Sequence, residues 1–159
     1  MSEFIASLEE QYVLLHRRSR GLIEKIPTRL LYEHPAGSKN TASCGEHVLR
    51  SAAVVEQTFG GITANLWDDP AEWTLPETLA TQEKVLEYLD EVEATRRRGF
   101  ALLKSDDDLV KEIRASSGKT LLVSLLLDTL ARAAHHQGAA WVTFEMLRVE
   151  ASSFHRNLA

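Results

Sequence analysis

A chain of 159 residues and 17.8 kDa is the length of one domain. Its 18 Lys and Arg against 23 Asp and Glu leave a net charge of −5, which argues against a general nucleic-acid binder, and 44% apolar residues argue against intrinsic disorder. The single cysteine, Cys44, excludes an internal disulfide and a four-cysteine zinc site.

Residues 3–26 read as the first helix. Phe4, Ile5, Leu8, Tyr12, Leu15, Leu22 and Ile26 recur at steps of three and four, and Pro27 stops the run. Thr28–Glu33 allows one short turn, and Pro35-Ala-Gly-Ser-Lys-Asn40 is a loop by its turn chemistry. A second helix starts at Ser43, because Ser43-Cys44-Gly45-Glu46 is a capping box. Val48, Ala52, Val55, Phe59 and Ile62 continue it. The segment 67–78, with Pro70 and Pro76, is a loop whose Trp67 and Trp73 are expected to pack onto the body. A third helix spans about 80–104 and is ended by Ser105-Asp-Asp-Asp108. Residues 109–116 are ambiguous, with an extended segment as one reading, and Ser117-Gly118 is a turn. The fourth helix runs from about Lys119 to Val149, and a short polar tail follows from Ala151. The expected fold is all-α, a four-helix bundle with a long loop after the second helix, forming one domain over 1–150.

The longest stretch without Asp, Glu, Lys or Arg is Ala133 to Phe144, well short of the ~20 residues of a membrane span. The Ser2-Glu3-Phe4 start lacks the pattern of a signal peptide. A cytoplasmic protein without membrane or nucleic-acid partners is expected.

The segment Leu130-Ala-Arg132-Ala-Ala-His135-His136-Gln137-Gly138 carries the most chemistry. His136 falls on the apolar face with Thr129, Ala133 and Ala140, and His135 lies 100° round, at its edge. His136 is either a core histidine with one partner or a ligand or general base in an inter-helix pocket. Arg132 lies one turn before His136. It either reaches water, pairs with a carboxylate such as Glu56, Asp90 or Glu93, or binds an anion through its planar fork. His47 and Arg50 are neighbours on the second helix. Cys44 reads as structural, and the basic runs His16-Arg17-Arg18 and Arg96-Arg97-Arg98 read as solvated faces.

Two motifs then carry a resemblance. Ser43-Cys-Gly-Glu46-His-Val-Leu-Arg50 is similar to Ser-x-x-Glu-x-x-x-His, and the fourth helix through His136-Gln137-Gly138 looks like His-x-x-x-His-Arg-Gly-Gln. With the order and length of the helices, the chain resembles the DinB/YfiT-like family of four-helix-bundle proteins over nearly its whole length. The resemblance implies an up-down-down-up bundle and a divalent metal on three histidines, one from the second helix and two from the fourth. Those positions here are Arg50, Arg132 and His136, and arginine has no lone pair to give a metal. The expected site is therefore metal-free and needs no cofactor. Arg50 and Arg132 hold a small anionic molecule, His136 acts as donor or general base, and His47, His135 and Thr129 line the pocket. An alternative register puts His47 and His136 on zinc or nickel. It would be a thiol-dependent transferase or hydrolase using bacillithiol, mycothiol or glutathione. A structural or regulatory bundle is the third reading, marked by carboxylates that pair both arginines. The resemblance also implies a homodimer.

Overall fold

Helix boundaries follow local chemistry throughout the computed structural model, which describes residues 2–37 and 40–156, with side chains through residue 152. Helix α1 covers Glu3–Lys25, with the Ser2 hydroxyl accepting from the Ile5 N–H at its start. A 3-10 turn at Thr28–Leu30 leads toward α2, Cys44–Ala64. The expected capping box is formed there: the Ser43 hydroxyl accepts from the Glu46 N–H at 3.3 Å, and the Glu46 carboxylate accepts from the Ser43 N–H at 2.7 Å. Asn65, at φ 56°, ends α2 in the left-handed conformation that Asn tolerates. Helix α3 is Gln82–Ala101, shorter at both ends than the 80–104 expected, and its start is set by the Thr81 hydroxyl, which caps it by accepting from the Lys84 N–H.

The chain then departs from the sequence reading. Asp106–Leu109 form a short helix, α4, followed by a hairpin of β1 (Glu112–Ala115) and β2 (Gly118–Leu121). The antiparallel register pairs Ile113 with Thr120 and Ala115 with Gly118. Gly118 has φ 115°, a conformation open to glycine and strained for other residues. The expected extended segment is therefore β1. The fourth long helix, expected from Lys119, begins at Leu122, because Lys119–Leu121 are committed to the ladder. This helix, α5, continues to Arg156, so the described part of the expected tail is helical.

Cross-helix contacts set the directions of the four long helices. Going up α1, Tyr12 meets Leu126, Ser19 meets Gln137 and Lys25 meets Trp141, so α1 and α5 are parallel. His47 faces His136, Ser51 bonds Ala133 and Thr58 bonds Thr129, so α2 runs against α5. Glu9 pairs with Arg96 and Arg20 with Asp90, so α3 runs against α1. The bundle is up-down-down-up. With α2 and α3 parallel, the connection 65–81 has to return along about 30 Å of helix, which is why that loop is long.

The core centres on Tyr12, Phe59 and Phe100, each no more than 1% exposed. Tyr12 meets Phe59 edge-to-face with centroids 5.2 Å apart, and Phe59 lies 5.4 Å from Phe100. Phe59 rests on Gly99, where a Cβ would overlap the ring edge. Gly99→Ala is therefore expected to destabilise the fold by about 1–3 kcal/mol, although alanine is the better helix former. Urea unfolding of the purified variant would read this. Of the two loop tryptophans, Trp67 packs over Gly61 as expected, whereas Trp73 remains 49% exposed. Among the described residues no helix is long and apolar enough to cross a membrane.

Candidate functional site

The seam between α2 and α5 gathers five of the six sequence-predicted residues. His47 and His136 face each other across it with ring centroids 6.0 Å apart, and His135 stands 5.6 Å from His136. The two helices run in opposite directions, so the first turn of α2 meets the middle of α5. His47 and His136 are half-buried, while His135, Arg50 and Arg132 are exposed. In both half-buried imidazoles Nδ1 is shut off from solvent and has no hydrogen-bond partner among the described residues. A buried polar nitrogen without a partner is costly, and few are left so in a folded protein.

The charges around the pair explain its protonation. Burial pushes the His136 imidazole below its ordinary value of 6.5, and the charges of His135, Arg50 and Arg132 push it the same way. Burial also lowers His47, helped by His136 and Arg50. Both rings are therefore neutral at neutral pH, each able to donate one hydrogen bond and accept another.

The carboxylates nearby leave the positive charge largely uncovered. Glu46 is spent on the helix cap. Burial pushes it up, but its bonds from Ser43 and the charge of Arg50 bring it below its ordinary value. Among the described residues Arg132 reaches only Asp128, at 3.7 Å and with both side chains more than half exposed, a weak surface pair. The three carboxylates considered for it are engaged elsewhere. Glu56 accepts from the Tyr88 hydroxyl at 2.6 Å, Asp90 pairs with Arg20 and Glu93 pairs with Arg96. Arg50 forms no ion pair among the described residues.

Thr129 stands apart from the other five. It is 1% exposed and lies two turns, about 10 Å, from His136 along α5. Its hydroxyl meets Thr58 at 2.7 Å and donates to the Leu125 carbonyl, so it serves the core. Cys44 is fully buried, and burial pushes its thiol up to about 12, which matches a structural role.

Two residues were missed by the sequence reading. His34, on the connection from α1 to α2, holds a third buried Nδ1 without a partner among the described residues, and its charge acts on Glu46. No periodic pattern marks a histidine in that loop. Arg96, expected on a solvated face, is 2% exposed and bonds both Glu9 and Glu93 at 2.7 Å. The Val92-x-x-x-Arg96-x-x-x-Phe100 spacing, which puts Arg96 on the apolar face of α3, was the available signal.

A divalent cation fits these residues poorly. Two guanidinium groups flank the histidine pair and would repel it. Among the described residues no group of three or more His, Cys, Asp and Glu side chains converges as a metal site.

No family model matches the sequence. No curated protein matches it either. Among solved structures, the chain is similar to the crystal structure of a proposed member of the DinB family from Exiguobacterium sibiricum 255-15. The two align over 92% of this chain and 93% of that one, with a TM-score of 0.66 and 18% identity. At that identity the likeness is one of fold, and this chain has the DinB-like fold.

Proposed function

We propose that this DinB-like protein binds a small anion, a carboxylate or phosphate, at the α2–α5 seam. One observation carries the reading: two facing imidazoles with buried nitrogens unpartnered among the described residues lie beside Arg132, whose ion pair there is a weak surface one to Asp128, and Arg50, which forms none there. Arg50 and Arg132 supply charge and planar donor pairs. His47 and His136 supply neutral hydrogen bonds. His136, held neutral, is also the group able to take a proton from a bound substrate.

Anion binding and protonation are coupled. An anion beside His47 and His136 favours their charged forms, so both would rise from values below 6.5. The complex then takes up protons, and affinity increases as pH falls from about 7.5 toward the histidine range. Calorimetric titration with inorganic phosphate and with acetate tests the reading. Arg50→Gln and Arg132→Gln are each expected to weaken binding by about 10- to 100-fold, the equivalent of one charge-assisted hydrogen bond, with unchanged circular dichroism. Affinity unaltered in both variants would sink the proposal.

A further inference from the structure

We infer that the groove between α1 and α5 is a second binding site, for a small aromatic carboxylate. It is separate from the histidine–arginine seam, which lies where α5 meets α2. The groove has a volume of about 520 Å³, within the range of small-molecule pockets. Its charged lining is Arg17, Arg18 and Lys25, and no acidic residue lines it. None of the three forms an ion pair among the described residues, in a chain whose net charge is −5. This concentration of positive charge selects an anion.

The rest of the lining suits a flat apolar body. Trp141 is 45% exposed, and the Lys25 ammonium sits 5.8 Å from its ring centroid, so charge and aromatic surface adjoin. Gly138 lies in the middle of α5 and Gly21 one turn before the end of α1, both within helices that glycine weakens. A Cβ at either position would meet nothing within 4 Å, so internal packing does not require glycine at either place. Their effect is to keep the groove open to the backbone. Gln137 fixes its width by donating to the Leu15 carbonyl and the Ser19 hydroxyl, each at 2.7 Å, which ties α5 to α1.

A second copy of the chain is a poorer occupant. In a two-fold contact centred on this groove, three cations would face three cations, and such a like-charge juxtaposition is unfavourable.

The probe is 2-naphthoate, with the neutral 2-naphthylmethanol and acetate as controls, followed by calorimetry. One 2-naphthoate per chain is expected, bound at least tenfold more tightly than either control. Gly138→Leu places a side chain in the groove from a position where the added Cβ meets nothing within 4 Å, and Arg18→Glu with Lys25→Glu reverses its charge at exposed positions. Both variants are expected to lose binding by at least tenfold, while Arg132→Gln keeps it. That last variant separates this site from the seam. Retained binding in the groove variants overturns the assignment, and so does equal affinity for the neutral alcohol. A dimer in sedimentation that Gly138→Leu breaks, without 2-naphthoate binding, would give the groove to a second copy instead.

Discussion

Replacing Arg96 by methionine is expected to lower stability by about 3 kcal/mol. The guanidinium is 2% exposed and donates to Glu9 and to both oxygens of Glu93, locking α3 to α1. Removing the cation leaves two carboxylates, with side chains only 24% and 19% exposed, facing each other without their counter-charge. Breaking a buried ion group costs about 3–5 kcal/mol, and the partial hydration of the two glutamates places this case at the low end. Adding Glu9→Gln and Glu93→Gln to the methionine variant removes the stranded charges. Most of the loss is then expected to return, because burying ions is itself costly. Urea denaturation of the single and triple variants reads both effects. A single variant within 0.5 kcal/mol of wild type, roughly the range of an ordinary surface substitution, would mean that Arg96 is no more than a surface pair.

Phe59→Ala should cost more, about 3–5 kcal/mol. The ring is 1% exposed and stands at the centre of the aromatic cluster, against Tyr12 and Phe100 and over Gly99. Alanine would lose that burial and leave a hole bounded by rigid neighbours. At about 2–4 °C per kcal/mol for a domain of this size, the midpoint of thermal unfolding falls by roughly 10 °C. The pair with Gly99→Ala supplies a sharper check. Once the ring is gone, the methyl at 99 has space to enter, so the double variant should be more stable than the sum of the two losses. Strict additivity would contradict the contact between Phe59 and residue 99.

The long helices were legible because burial imposes a period on them. Ile5, Leu8, Tyr12, Leu15 and Leu22 in α1, and Val48, Ala52, Val55 and Phe59 in α2, all lie in the core. The Ser43–Glu46 cap was legible because both of its partners sit within four residues. The hairpin was legible only as an extended segment. Strands of four residues carry too short a pattern, and the start of α5 depends on β2 pairing with β1. For the site, helical spacing placed His136 beside Arg132 and His47 beside Arg50. The family resemblance pointed to Arg50, Arg132 and His136 as one set, and in the structure the charges of both arginines act on the His136 imidazole. Spacing could not tell which carboxylate would reach Arg132, because Glu56, Asp90 and Glu93 are claimed by partners far away in sequence. Arg96 differs: its partner Glu9 is 87 residues distant, but Glu93 is three away and the spacing from Val92 to Phe100 already put Arg96 on the apolar face.

The most direct test of anion binding at the seam is a nuclear magnetic resonance titration of the histidine rings, with and without inorganic sulfate. Without sulfate, His47 and His136 are expected to titrate below 6.5, as burial and the neighbouring charges dictate. With sulfate present both should rise, because the bound anion favours the imidazolium forms. His16, lowered by its own burial beside Asp90 on another face of the bundle, serves as the internal reference and should not move. Unchanged titration of His47 and His136 at saturating sulfate would contradict the assignment of the seam as an anion site.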